Sequence, residues 1–182
     1  VNRHLFITGD ICPDIAHMVI RKLKYLTGVS KDPVYVFINS PGGCVDSCLA
    51  ILDEFELAKN EDVPIYTVGQ GIAISAAAVI LAMGTKGCRY ATPNTTVMLH
   101  PISFSLDSDY EDAQTKSVEF LKKQSAKLDK LVSSACGKTA KKGKNSMEQY
   151  KSDIQHGLWM TVQEAINYGV IDGVWTGKPE SV

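Results

Sequence analysis

The sequence predicts a single α/β domain in which strands and helices alternate, and three observations support this fold class. Short strand-like runs each precede a helix-like segment with one apolar face through the first two-thirds of the chain. The run 34–38 is apolar throughout, which is typical of a strand buried on both faces of a sheet. The length of 182 residues is enough for one domain with a substantial core.

The period of the apolar residues predicts the individual elements in order. Apolar residues recur at helical spacing in segments that we expect to be helices, which are 14–26, 45–59 and 76–83. Apolar runs rich in β-branched and aromatic residues predict strands between them. These strands are 5–8, 34–38, 65–68, 88–91 and 95–99.

A different pattern begins after residue 101. Ile102, Phe104 and Leu106 alternate with polar residues, which predicts a strand with one apolar face over 102–107. The segment 109–136 then has a narrow apolar stripe at helical spacing. This stripe predicts a long projecting helix that contacts a partner, and a helix packed on its own domain is the alternative.

Helix-capping signals mark the C-terminal part of the chain. Residues 146–149 and 161–164 each begin with Ser or Thr and have Gln or Glu at the fourth position, the pattern of a capping box. They predict two short helices, the second of which ends at Gly169 before a last strand at 170–175. The lysine-rich segment 137–145 predicts a surface loop.

Charge and cysteine content exclude several function classes. The 19 Lys and Arg residues nearly balance the 20 Asp and Glu residues, so we expect no nucleic-acid partner. The odd number of scattered cysteines indicates a reducing compartment rather than a disulfide framework. Cys44 and Cys48 lack the further ligands of a metal site, so core packing is predicted for them. No apolar run reaches membrane-spanning length and no secretory leader is visible, so we expect no membrane association.

The most informative chemical feature is Ser75, which follows the strand-like run 65–71 and precedes the alanine-rich helix. A hydroxyl at this point lies at a helix N-terminus, where free backbone N–H groups favour anions. His100 directly follows the strand at 95–99. A serine and a histidine in these positions are the parts of an acyl-transfer site. The alternative is that Ser75 only caps the helix.

A third element is the turn 39–43 (Asn-Ser-Pro-Gly-Gly), which ends the buried strand and leads into a helix. Glycines allow backbone N–H groups to approach a ligand without a Cβ atom in the way. A tetrahedral acyl intermediate needs such donors for its oxyanion. A Gly-Gly pair alone marks only a tight turn, but together with Ser75 and His100 it indicates acyl-transfer chemistry.

With these pieces the chain resembles the ClpP-type serine peptidases, which have the crotonase-like spiral fold of ββα units with a projecting handle helix. The matching motifs keep their order and spacing over nearly the whole chain, at 6–9, 35–43, 68–70, 86–90, 93–101 and 164–172. The resemblance implies one domain over 1–182. Its head is formed by about 1–101 and 146–182, and its handle strand and helix by about 102–136.

The resemblance also implies the role of each site residue. Ser75 would be the nucleophile and His100 the general base, while the N–H groups of Gly43 and Ala76 would form the oxyanion hole. The handle would be the place where two rings meet, and its strand would lie beside a bound peptide.

By the same resemblance the protein would be a self-compartmentalising serine endopeptidase without a metal or other cofactor. It would cut peptides or unfolded proteins inside a homo-oligomeric ring of seven subunits, or inside two stacked rings of fourteen. A ring ATPase would unfold and feed the substrate. The expected location is the cytoplasm, with an organelle matrix or the cytoplasm of a virus-infected host as alternatives.

The chain departs from the family pattern at three points. Two extra residues precede Ser75, and Ala77 stands where the family has glycine. The position of the family's third, acidic triad member is Gly157, so His100 lacks the expected partner. Asp153 lies one helical turn earlier and is the candidate substitute acid, with a solvated helix carboxylate as the alternative.

Two alternative functions follow from these departures. The absent acid favours a catalytically impaired or inactive ring subunit that retains the fold. An acyl-CoA hydratase or isomerase of the same superfamily is the third hypothesis, although Ser75 with His100 disfavours it.

Overall fold

The computed structural model describes residues 2–102, 111–138 and 146–177, and the side chains of the second range from residue 118 onward. Strands and helices alternate through these residues, as the sequence predicts. In chain order they are β1 His4–Thr8, α1 Pro13–Val29, β2 Val34–Ser40, α2 Val45–Asn60, β3 Ile65–Ile74, α3 Ala76–Ala82, β4 Arg89–Ala91, β5 Thr96–Leu99, α4 Glu111–Ala135, α5 Met147–Ile154, β6 Leu158–Met160, α6 Val162–Tyr168 and β7 Gly173–Val174.

The strands form one mainly parallel sheet with the order β1-β2-β3-β4-β7. This arrangement confirms the predicted α/β fold class. β2 lies in the interior of the sheet, but the prediction that it is buried on both faces is wrong. Val34, Val36 and Ile38 are buried, whereas Tyr35 and Phe37 on the other face are partly exposed and pack against aromatic rings of the neighbouring strands. Helices α1 and α2 pack on each other and on the sheet, and their apolar faces join the strands in one buried core.

β3 extends six residues beyond the predicted strand 65–68, and this extension leads directly to Ser75. Its first part pairs with β4 at Thr67–Gly69, and its last part pairs with β5 at Ile72–Ile74. The sequence does not predict a strand beyond residue 68 because Gly69 and Gly71 follow, and glycine is unfavourable in the interior of a strand. Pairing with a second partner strand keeps the segment extended.

β6 is an element that the sequence analysis missed. Its three residues pair antiparallel with β5, with Leu158 opposite Leu99 and Met160 opposite Val97. A strand this short has too few residues to show an alternating pattern, and only its partner defines it.

Both C-terminal helices begin where the capping signals predict, but only one signal is a complete capping box. At α6 the Thr161 hydroxyl accepts from the N–H of Glu164, whose carboxylate in turn accepts from the N–H of Thr161. At α5 the Ser146 hydroxyl accepts from the N–H of Gln149. The Gln149 side chain instead donates to Asp153 Oδ1 at 2.6 Å, so the second half of that box does not form.

The last strand, β7, is shorter than predicted.

The long helix α4 nearly coincides with the predicted helix 109–136. Towards its C-terminal end, Leu128, Val132 and the following Cys136 are buried, and the helix packs there against α3 and α5. Phe120, nearer the N-terminus, is 58% exposed. The C-terminal end of α4 therefore packs on its own domain, and a contact between α4 and a partner stays a prediction. The predicted strand 102–107 from residue 103 onward, and the predicted loop from residue 139 onward, lie outside the described residues.

A buried ion pair joins the ends of three elements. Arg89, at the start of β4, is 1% exposed and forms two hydrogen bonds with the Asp172 carboxylate, of 2.8 and 2.6 Å. Its third nitrogen, Nη1, donates to the carbonyl oxygens of Ala82 and Ala135, each at 3.1 Å. One side chain thereby satisfies carbonyls at the C-terminal ends of α3 and α4.

We expect Asp172→Asn to lower the free energy of unfolding by about 2–3 kcal/mol, because it removes the charge that partners a buried guanidinium. Burial alone would raise the pKa of Asp172, but the hydrogen bonds and charge of Arg89 outweigh it and lower that pKa. A lowered carboxylate pKa contributes stability above its unfolded-state value, about 3.9, and loses it as the pH falls further.

Urea denaturation of wild type and Asp172→Asn at pH 7 and pH 3 measures this contribution. The difference between the two proteins should be full at pH 7 and should shrink at pH 3. A difference that is the same at both pH values would contradict this account of the ion pair.

Among the described residues, no helix is both long enough and apolar enough to cross a bilayer.

Candidate active site

Ser75 occupies a sharp turn between β3 and α3. Its backbone has φ 58° and ψ −125°, a conformation that non-glycine residues rarely adopt. The turn is held by hydrogen bonds from Ser75 N to Met98 O at 2.9 Å and from Val79 N to Ser75 O at 3.1 Å. The side chain makes no capping hydrogen bond to α3, so the helix-cap alternative does not account for this serine. A strained strand-to-helix turn that presents a serine is typical of nucleophile elbows.

The Gly-Gly turn after β2 lies against this serine. A Cβ atom added to Gly42 would be 2.8 Å from Ser75 Cβ, which shows how closely the two turns approach. On its other side Gly43 packs against the segment after β1. A Cβ atom added to Gly43 would be only 2.3 Å from Ile11 O. Position 43 therefore accepts only glycine, and its backbone is fixed between Ile11 and the serine turn.

Two backbone N–H groups at this point have no acceptor among the described residues. The neighbouring groups are paired, since Ile11 N donates to Gly42 O and Cys44 N donates to Ile11 O, both at 2.8 Å. Gly43 N and Ala76 N donate no hydrogen bond within the described part of the chain. Unpaired N–H groups near a serine hydroxyl are the donors that an oxyanion requires.

His100 follows β5, which pairs with the end of β3. In the parallel register Ile74 lies opposite Met98, and Ser75 N donates to Met98 O at 2.9 Å. The two strands therefore end side by side, and Ser75 directly follows β3 while His100 directly follows β5. This proximity depends on a strand pairing that a sequence pattern alone does not specify.

The serine, the histidine and both N–H donors line one cavity of about 90 Å³. Most of the remaining wall is apolar, and it includes Val79, Leu99 and Ile102. The other described lining residues are Val45 and Cys48 of α2, Leu128, Asp129 and Val132 of α4, and Tyr150 of α5. The structure therefore brings together Ser75, His100, Gly43 and Ala76, the four principal residues of the sequence hypothesis.

Asp153 is not brought into this cavity. Its Oδ2 accepts a hydrogen bond from the Tyr168 hydroxyl at 2.9 Å, and its Oδ1 accepts from Gln149. Gly157, which the sequence analysis compares with the family's acid position, precedes Leu158, and His100 follows Leu99; Leu99 with Leu158 is the last pair of β5 and β6. No hydrogen bond or ion pair joins His100 to a carboxylate within residues 2–102, 118–138 and 146–177.

The carboxylate that does line the cavity is Asp129, which the sequence analysis did not consider. It stands on α4 beside Leu128 and one turn from Val132, both on the apolar stripe. Burial raises the pKa of Asp129, and the ammonium of Lys151, 3.9 Å away, opposes this shift. The sequence gives one indication of Asp129, which is that this acidic residue directly follows Leu128 on the apolar stripe of the long helix.

The cysteines near the site are unpaired thiols. Cys48 is buried, its Sγ donates to Ala76 O at 3.6 Å, and burial raises its pKa to about 12. Cys44 is exposed at the start of α2, where hydrogen bonds from Ser47 lower its pKa. In the described part of the chain no three His, Cys, Asp or Glu side chains form a metal-binding group.

Comparison with known proteins matches this arrangement to a family. The model of the Clp protease family matches residues 1–178. This chain belongs to the Clp protease family. Membership confirms the resemblance that the motifs indicate, and the parallel sheet with six helices in the described residues is consistent with the ClpP fold.

Curated members of the Clp protease family are similar to the chain over almost its whole length. The ATP-dependent Clp protease proteolytic subunit 1 of Rhodopirellula baltica is 33% identical over 99% of this chain and 75% of its own length. Subunit 2 of Pseudomonas aeruginosa is 29% identical over 98% of the chain and 83% of its own length. Subunit 1 of Leifsonia xyli is 32% identical over 95% of the chain and 83% of its own length.

Proposed function

We propose that this chain is a serine endopeptidase of the ClpP type that hydrolyses peptide bonds through an acyl-enzyme on Ser75. The observation that carries the proposal is the convergence of Ser75, His100 and the two unpaired N–H groups on one cavity. Family membership supports it, because the relatives are named proteolytic subunits of ATP-dependent Clp proteases.

In this proposal His100 takes the hydroxyl proton of Ser75 as its oxygen attacks the peptide carbonyl. The carbonyl oxygen becomes an oxyanion and accepts hydrogen bonds from the N–H groups of Gly43 and Ala76. His100 then donates the proton to the leaving amine, and water hydrolyses the ester by the same sequence. Each step uses groups of this chain, and none calls for a metal ion or an organic cofactor.

The cavity wall also supports a preference in substrate. Val45, Val79 and Val132 present apolar surface beside Ser75. An apolar side chain of the substrate, at the residue before the scissile bond, would bury surface there. A fluorogenic peptide with leucine at that position is therefore a suitable assay substrate.

Assembly and partner are part of the same proposal. The names of the relatives describe subunits of an ATP-dependent protease. We propose that this chain likewise forms a homo-oligomeric ring of seven subunits, or two stacked rings, and receives unfolded protein from a ring ATPase in the cytoplasm. Phe120 of α4 supports a contact between rings, because this large apolar side chain is 58% exposed.

A fluorophosphonate probe tests the proposed chemistry directly, because it reacts only with an activated serine. We expect wild type to gain one adduct, located at Ser75 by peptide mass spectrometry, and Ser75→Ala to gain none. Labelling of both proteins to the same extent, or adduct formation at another residue, would disprove the assignment.

The second candidate function is that of an inactive ring subunit, which the glycine at position 157 favours. This function predicts no adduct on wild type together with normal assembly. Native mass spectrometry of the same samples reports the assembly, so the two functions give different results.

A further inference from the structure

The protonated ring of His100 needs a negative charge nearby, and the described site offers one source. Gly157 has no side chain, and both oxygens of Asp153 accept hydrogen bonds elsewhere. Among the described residues that line the cavity, Asp129 is the one acidic side chain. It enters the cavity from α4, an element that carries neither the serine nor the histidine.

The other titratable groups that the structure describes around the cavity do not supply negative charge near neutral pH. On α2, burial raises the pKa of the Cys48 thiol to about 12. On α5, burial and the charge of Asp129 raise the pKa of Tyr150, and Lys151 is a cation. Of these described groups, Asp129 is therefore the one that can offer a counter-charge to a protonated His100.

A structural role explains Asp129 poorly. Its partner Lys151 is 55% exposed and lies 3.9 Å away, whereas the Asp129 side chain is only 14% exposed. An ion pair at this distance with one partner in solvent contributes little to the stability of the fold, whereas partial burial of the Asp129 carboxylate lowers that stability. Burial accordingly raises the pKa of Asp129, which means that the fold disfavours its charged form. Charged groups that destabilise the fold are found mostly at functional sites.

The position of Asp129 is fixed by its neighbours on α4. Leu128 and Val132 are 5% and 1% exposed and anchor this turn of the helix in the core. Arg89 binds the carbonyl oxygen of Ala135 near the end of the helix. A group on a rigid helix can hold a charge in a constant place during catalysis.

We propose that Asp129 is a positioning residue for His100, whose carboxylate orients the ring and stabilises the imidazolium across the cavity. This inference rests on the proposed peptidase function. It assigns the role of the acid that stabilises His100 to a residue of α4, because Gly157 has no side chain for that role. Because no direct hydrogen bond joins Asp129 to His100, we expect a smaller contribution than that of a directly bonded triad acid.

Asp129→Asn should lower kcat for the fluorogenic peptide by about tenfold to hundredfold, against about 10⁴-fold for loss of a directly bonded acid, with KM changed less than about twofold. Asp129→Glu should retain more activity than Asp129→Asn, since it keeps the charge. The matched control is Lys151→Gln, which removes the same ion pair from its other end and should leave kcat within about twofold of wild type.

Thermal unfolding at pH 8 separates this role from a structural one. A carboxylate whose pKa is raised on folding makes the folded state less stable when it is ionised, so Asp129→Asn should keep or raise the unfolding midpoint. A fall in kcat together with a clearly lower midpoint would overturn the inference. So would equal losses in Asp129→Asn and Lys151→Gln, or a loss in Asp153→Asn without one in Asp129→Asn.

A readout without turnover distinguishes failure of this inference from failure of the peptidase proposal. In Ser75→Ala the NMR chemical shifts of the His100 ring are compared with and without Asp129→Asn. Removal of a carboxylate that orients the ring should change these chemical shifts, and Lys151→Gln should change them less. Unchanged chemical shifts disprove the role of Asp129, while a Ser75 adduct still supports the peptidase. Changed chemical shifts without a Ser75 adduct would support the role of Asp129 and disprove the peptidase proposal.

Discussion

Replacing His100 by glutamine should lower kcat for peptide hydrolysis by about 10⁴-fold or more, because His100 is the one imidazole among the described residues that line the cavity. The free hydroxyl is a poor nucleophile near neutral pH and becomes effective only when an adjacent base removes its proton. Glutamine keeps a similar size and hydrogen-bonding capacity but accepts no proton, so KM should change little. Steady-state kinetics with the leucine peptide measure both parameters.

The control is the same substitution at His17, an exposed residue of α1 that does not line the cavity. His17→Gln should have wild-type kinetics. Residual activity of His100→Gln within about tenfold of wild type would show that another group is the base, against the usual cost of losing a triad base. The fluorophosphonate reaction of His100→Gln should slow in parallel with hydrolysis, since both need the activated hydroxyl.

Gly157→Asp should raise kcat by about 10² to 10³-fold, a large part of the roughly 10⁴-fold that a directly bonded acid supplies to a triad. The last residue pair between β5 and β6 is Leu99 with Leu158, so His100 and position 157 are the two residues that directly adjoin this pair. The pair holds the two segments close together at this point. We therefore expect a carboxylate at position 157 to come within reach of the His100 ring.

The backbone at position 157 accommodates this change at a moderate cost. A Cβ atom there would lie 3.4 Å from Trp159 Nε1, an ordinary contact. The φ angle of 84° is in the left-handed region, where Asp and Asn are the best tolerated residues after glycine. We expect a loss of about 1–2 kcal/mol in stability from this conformation.

Gly157→Asn is the matched control, because it brings the same size and the same backbone strain without the charge. The gain should appear in Gly157→Asp and be absent from Gly157→Asn. It should be larger in Asp129→Asn than in the wild-type background, since the two carboxylates would serve the same ring. Equal activity of the Asp and Asn variants would show that the missing acid does not limit this site.

Much of the fold could be predicted because its signals are local. Apolar runs and helical stripes predicted the strands and helices of the first hundred residues, and the Thr161 capping box predicted the start of α6. The elements that escaped prediction depend on a partner strand. The end of β3 and the whole of β6 are extended because β5 pairs with both of them.

The sequence by itself determined the α/β class and the family, and it predicted Ser75, His100, Gly43 and Ala76 as site residues, because each follows a recognisable strand or turn in the chain. Only the tertiary structure decided which acid lines the same cavity as the histidine. Asp153 is closer along the chain to the family position, yet its oxygens bind Gln149 and Tyr168. Asp129 lines the cavity because α4 packs across it. The position of Asp129 depends on packing between segments that are distant in sequence, and residue spacing along the chain does not predict such packing.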